Sequence, residues 1–153
     1  MNGTVADRLR AAGFTLPSAP SAIGLYVPAV RSGALVFTSG QLPFVDGRLL
    51  TSGLVGREVT AQVATECARR AALNGLAAAG TVCDLDEVVR VVKVVGYVAS
   101  AEDFTAQPLV INGASELVAV AFGPGGTHAR EAVGVARLPL DAPVEVSLVL
   151  EIG

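Results

Sequence analysis

The sequence has no tryptophan, one histidine, two cysteines, five Phe and two Tyr. Each scarcity excludes something. With so few aromatics the core must be built from Val, Leu and Ala. Hydrophobic residues make up 52% of the 153, enough for one sizeable core and too many for a disordered chain. A lone His128 rules out a two-histidine ribonuclease arrangement and argues against a zinc site. Cys67 and Cys83 make no metal or redox motif and read as two reduced, partly buried thiols. Charge is also scarce, at 16% of residues with a net of −3 and a pI near 5.1. Ten of the eleven basic residues are Arg, scattered along the chain, so nothing looks like a nucleic-acid footprint. Gly123-Pro-Gly-Gly126 is a turn signal without the Lys-Ser/Thr of a phosphate loop. No apolar run reads as long enough to cross a bilayer, and MNGTVADRLRAAGF lacks the order of a signal peptide, so the expected location is cytoplasmic.

No repeat or linker interrupts the chain. Residues 1–153 read as a single domain in which 1–18 form an N-terminal helix and an extended lead-in. The helix covers 4–13 and ends at Gly13; Pro17 and Pro20 then keep the chain irregular. Residues 24–30 and 34–38 read as strands around Arg31-Ser32-Gly33, and Asp46-Gly47 as a turn in a loop-rich stretch. A strong helix runs from Thr60, a plausible N-cap, to Ala79, with Gly80 as its stop. Its Glu66 and Arg70 are four apart on one exposed side. Its many small residues allow it to lie close on a sheet. Val88 to Val98 reads as a central strand. Asp103 is a candidate cap for a second helix, but Pro108 moves the expected regular start to near Asn112, with an end near Gly123. Residues 130–137 and 144–152 read as two last strands. The order fits an α+β protein: a mixed sheet with helices packed on one face.

Alternation puts Val144, Val146, Leu148, Leu150 and Ile152 on one face of the last strand, with Glu145, Ser147 and Glu151 on the other. In the preceding strand, Val133 and Val135 oppose Arg130, Ala132, Gly134 and Ala136. The small, partly polar faces carrying Arg130 and Glu145 are expected to lie away from the helices. There they would form either a subunit interface containing a site or a plain solvated surface. An antiparallel pairing with Arg137 opposite Val144 would set Glu145 roughly 20 Å along the strand from Arg130.

Three segments carry a resemblance to a known family: APSAIGLYVPAV (19–30), LVFTSGQLPF (35–44) and HAREAVGVARLPLDAPVEVSLVLEI (128–152). Together with the element order they resemble the Rid family of reactive intermediate deaminases, also called YjgF or L-PSP endoribonuclease. The resemblance implies a fold similar to chorismate mutase and a homotrimer with clefts between subunits. It also implies hydrolysis of the enamines and imines of amino acids to 2-oxo acids and ammonia, without metal or cofactor. The family's essential arginine falls on Arg130, its glutamate on Glu145, its cleft tyrosine on Tyr26 and its asparagine on Asn112. Ser39, Gly40 and Ala132 fall beside them as substrate contacts. The chain departs from the family pattern at Glu131, at Ala132, where the archetype has cysteine, and at Ser115, where it has tyrosine. It is also longer at the N-terminus.

The residue types suit this chemistry. The planar fork of Arg130 can hold a substrate carboxylate by two charge-assisted hydrogen bonds, which also orients so small a molecule. Glu145 can place a water and move protons. Each residue also has a structural reading. Arg130 could pair with Glu151, Glu145 could sit on a solvated strand, Tyr26 could pack, and Asn112 could cap a helix. His128 reads as a turn residue and Arg137 as structural. Three functions follow: an imine deaminase, a non-catalytic module binding a small carboxylate in the same cleft, and an endoribonuclease. The acidic pI and lone His count against the last. Expected partners are a small carboxylate or imine and two further copies of the chain, with no nucleic acid and no membrane.

Overall fold

The computed structural model describes residues 3–21 and 24–153; Met1, Asn2, Ala22 and Ile23 lie outside it, the last two within the 19–30 segment. Helix α1 spans Val5–Ala11, closed by a Thr4–Asp7 capping box. Its Val5 and Leu9 are buried, and Arg8 Nε donates to the Ala121 carbonyl at 2.8 Å. Strands β1 (Ala29–Ser32) and β2 (Leu35–Thr38) form the expected hairpin, with Gly33 at φ 61° in its turn. The strand is shorter than read, because residues 24–28 are not extended in a ladder. Strands β3 (Phe44–Val45) and β4 (Arg48–Leu49) flank Asp46 and Gly47, both at positive φ as a tight hairpin turn requires.

Helix α2 (Ala61–Ala79) matches its sequence reading, with the Thr60 hydroxyl accepting from the Val63 amide. A Cβ on its Gly75 would fall 3.1 Å from Leu148, so the helix does lie close on the sheet. Glu66 pairs with Arg69 rather than Arg70. Arg69 also reaches Glu116 at 2.7 Å, tying α2 to the next helix, while Arg70 Nε donates to the Phe44 carbonyl. The Val-rich run forms strand β5 (Val88–Ala99), an interior strand of the main sheet though not its middle one.

Helix α3 (Gln107–Phe122) begins well before Asn112. Pro108 occupies its first turn, where no amide hydrogen is needed, so it starts the helix instead of delaying it. The N-cap is Ala106, not Asp103. Together with the 3-10 turn Gly123–Gly126 it makes a 20-residue stretch containing an 18-residue window of mean hydropathy 1.2, long and apolar enough on composition alone to cross a membrane. That corrects the expectation of no such run. The stretch is half buried, and its Ile111, Ala114, Leu117 and Val118 are spent on the core between α2 and the sheet.

Strands β6 (Ala129–Val135) and β7 (Val144–Ile152) complete a five-stranded sheet in the order β1-β2-β7-β5-β6. β6 runs parallel to β5 and all other pairs are antiparallel. The last two strands therefore do not pair. The chain crosses from β5 through α3, which returns β6 parallel to β5, and β7 then adds to the other edge of β5.

The face assignment in β6 is also reversed. Val94, Gly96 and Val98 share the helix-covered face with Leu148, Val146 and Val144. Their partners across β6 are Arg130, Ala132 and Gly134, which therefore point to the helix side. A Cβ on Gly96 would meet Ile111 at 2.4 Å, and one on Gly134 would meet Gln107 at 2.7 Å. Small residues in β6 mark the close approach of α3, not an open surface. Glu145, Ser147 and Glu151 lie on the open face, as alternation indicated.

Candidate functional site

Two groups of side chains carry the candidate chemistry. The first sits where α3 meets the edge of the sheet. Asn112 and Ser115, one turn apart, project from the same side of α3. Facing them are Arg130 on β6 and His128, which lies just before that strand. Arg130 Nη1 donates to Asn112 Oδ1 at 2.7 Å and to Ser115 Oγ at 3.2 Å. Ser115 Oγ lies 2.9 Å from His128 Nε2, and His128 Nδ1 lies 2.6 Å from the Gly126 carbonyl oxygen. Ala132, next on this face, packs at the margin of the core. Arg130 makes no ion pair among the described residues. Glu151, its candidate partner, stands 3.8 Å from Arg90 instead. A half-buried guanidinium held only by neutral acceptors keeps its positive charge for an incoming anion. Asn112, inside the helix, is no cap.

The second group lies on the open face. The β2–β7 ladder breaks after Phe37, where the Leu148 amide donates to Thr38 Oγ1 at 2.9 Å. Pairing resumes between Gln41 and Val146. In the gap, Ser39 Oγ donates to the Val27 carbonyl at 2.6 Å, tethering the segment that carries Tyr26. A Cβ on Gly40 would fall 2.6 Å from the Glu145 carboxylate, so only glycine lets that side chain lie there. Half-buried Glu145 has its carboxyl raised above the usual range by burial, and it makes no hydrogen bond to a described residue. A carboxylate short of solvent and partners is suited to take a proton. Tyr26 is 58% exposed in the single chain, so it is not buried in the chain's own core.

The structure thus joins Arg130 to Asn112, and Gly40 to Glu145, but it does not join the two groups within one chain. Arg130 is across from Val94 and Glu145 across from Tyr97. That is about 10 Å along β5 and about 10 Å across two strand spacings, on opposite faces of the sheet. Ser115 and His128 were not read as site residues. The signal was available, since Ser115 is one helical turn from Asn112 and His128 is two residues before Arg130. Among the described residues no three His, Cys, Asp or Glu side chains gather as a metal requires. Both cysteines are free, and burial pushes the Cys67 thiol up to about 11, so neither is a poised nucleophile.

Comparison with known proteins adds the family. A family described as endoribonuclease L-PSP matches residues 16–152. Protein TCP17 of Trypanosoma cruzi is 42% identical over 99% of this chain and 96% of its own length. The 2-iminobutanoate/2-iminopropanoate deaminase of Salmonella typhimurium is 33% identical over 86% of this chain and 91% of its own. The crystal structure of Atu1372 from Agrobacterium tumefaciens, described as of unknown function, superimposes with a TM-score of 0.90 at 46% identity, covering 97% of this chain and 92% of that one. The α+β fold, the sheet order and these matches place the chain in the endoribonuclease L-PSP family, the Rid or YjgF family that its C-terminal segment resembles.

Proposed function

We propose that the protein hydrolyses imines of small amino acids to 2-oxo acids and ammonia, in clefts between the subunits of a homotrimer. The observation that carries this reading is the guanidinium of Arg130, fixed by Asn112 and Ser115 and left without a counter-charge among the described residues. It suits a substrate carboxylate held by two parallel hydrogen bonds. The imine carbon beside that carboxylate is already electrophilic, so attack needs only a placed water and a proton acceptor. Glu145, whose carboxyl is raised by burial, suits that part when it comes from a neighbouring subunit. The relative named 2-iminobutanoate/2-iminopropanoate deaminase supports the same chemistry.

A cleft between subunits is favoured by the open sheet face. Val30, Phe37 and Val133 expose 52%, 43% and 44% of their surface there, beside half-buried Val95, Tyr97 and Val149. Apolar surface of this kind marks an interaction site. RNA cleavage, the activity in the family's description, gains no support from charge. Arg10, Arg57, Arg69, Arg90, Lys93 and Arg137 are engaged with carboxylates, and the net charge is −3.

The test is to generate 2-iminobutanoate with a pyridoxal-phosphate dehydratase and follow its conversion to 2-oxobutanoate. Acceleration by the protein, absent with Arg130→Ala, is the expected result. Carboxylate binding without acceleration for any amino-acid imine would leave the binding-module reading.

A further inference from the structure

His128 is the chain's one histidine, and both of its ring nitrogens have partners. A carbonyl oxygen can only accept, so the hydrogen in the 2.6 Å contact with Gly126 belongs to Nδ1. In the neutral ring Nε2 is then an acceptor, and the Ser115 hydroxyl must donate to it across 2.9 Å. The lone pairs of Ser115 Oγ are left facing Arg130, whose Nη1 donates at 3.2 Å. Every bond in the series thus has one direction: Arg130 to Ser115, Ser115 to His128, His128 to the backbone. The backbone end is rigid. Gly126 is buried, and a Cβ there would fall 2.6 Å from the Val118 carbonyl oxygen on α3.

The series has a consequence for Arg130. Nη1 carries two hydrogens, and Asn112 and Ser115 take both. The Nε hydrogen and the parallel hydrogen of Nη2 have no partner among the described residues. Those two make the side edge of the guanidinium, which a carboxylate can meet with two parallel bonds. Without Ser115 one Nη1 hydrogen is released, and the group can turn about its last torsions.

We infer that Ser115 and His128 are positioning residues that lock Arg130 through a hydroxyl–imidazole relay anchored on the Gly126 carbonyl, so that its Nε/Nη2 edge is presented to a small 2-oxo or 2-imino carboxylate. The ligand class rests on the proposed function; the relay rests on the hydrogen-bond geometry alone. The relay holds His128 as the Nδ1–H tautomer, and it makes the Ser115 hydroxyl, rather than its bulk, the feature that matters.

The lone histidine makes the test clean, because its imidazole nitrogens give unique resonances in a uniformly 15N-labelled protein. With the ring neutral, the wild type is expected to display the Nδ1–H tautomer, and Ser115→Ala to shift the Nε2 resonance. Calorimetric titration with 2-oxobutanoate is expected to show about tenfold weaker binding for Ser115→Ala and His128→Asn. Ser115→Thr, which keeps a hydroxyl, restores most of the affinity. In turnover the loss falls on KM more than on kcat. An Nε2–H tautomer in the wild type overturns the relay, wild-type affinity in both Ser115→Ala and His128→Asn overturns its hold on Arg130, and no binding of 2-oxobutanoate by the wild type overturns the ligand class. A wild type that binds 2-oxobutanoate but hydrolyses no imine defeats the deaminase reading, while weaker binding by the variants still supports the relay.

Discussion

Arg130 is held by neutral acceptors, so removing it orphans no buried counter-charge. Its side chain is half-buried at a sheet edge, and its loss opens no core cavity. Arg130→Ala is therefore expected to lower kcat/KM by at least about a hundredfold with a melting temperature near the wild type's. Arg130→Lys is expected to be nearly as inactive, because a point charge cannot satisfy Asn112, Ser115 and a bidentate carboxylate together. A lysine variant turning over near the wild-type rate would remove the orienting role. Glu145 gives a pH signature. Burial raises its carboxyl above the usual value, and a base must be ionised, so kcat/KM should fall as pH drops through that raised value, on the neutral side of an ordinary carboxylate. Glu145→Gln is expected to lose about a hundredfold in turnover and the acid limb with it. The stability effect has the opposite sign. A carboxyl raised by folding favours the fold when protonated, fully so below its unfolded value, and loses that contribution as pH rises through its folded value. The glutamine variant should melt above the wild type at neutral pH, with the gap closing in acid.

The elements show why some features were legible in sequence and others were not. α2 was readable because Thr60, a run of small and apolar residues and Gly80 are all local signals. β7 was readable because every second residue is Val, Leu or Ile. The start of α3 was misread because proline stops a helix from within but is tolerated in its first turn, and sequence alone does not say which applies to Pro108. The face of β6 was misread because Ala132 and Gly134 are small for a tertiary reason: α3 presses on them, and pressing helices are invisible to alternation. The same ambiguity hid the site's internal partners. Arg130 and Asn112 were identified, but the contact between them depends on β6 running parallel to β5. Close helix packing is itself testable. A Cβ on Gly113 would fall 2.1 Å from the Thr65 carbonyl oxygen, a backbone atom on α2 that no rotamer change can move aside. Gly113→Ala is expected to part α2 from α3 and cost about 3 kcal/mol, a fall of roughly 6–12 °C in Tm. An unchanged thermal melt would mean that the two helices do not interlock there.

At the scale of the whole molecule, one chain supplies Arg130 on the helix side of the sheet edge and Glu145 on the open face, separated by β5. A substrate of a handful of heavy atoms cannot touch both. If both serve one site, each site takes Arg130 from one subunit and Glu145 from the next around a closed ring, and light scattering should give a trimer at micromolar concentration. A monomer would exclude the arrangement. Complementation tests it directly. Arg130→Ala and Glu145→Ala are each expected to be inactive, because every cleft in either pure trimer lacks one of the two groups. When the variants are unfolded, mixed in equal amounts and refolded, a cleft works wherever a Glu145→Ala subunit lends its Arg130 to an Arg130→Ala subunit that keeps Glu145. Random assortment around a cyclic trimer gives that order in about a quarter of the clefts, so activity should return to about a quarter of the wild-type level. If each site instead drew both residues from the same chain, every site in the mixture would stay broken. No rescue, in a sample where mass spectrometry finds mixed trimers, would therefore rule out the shared cleft or the role given to Glu145 within it.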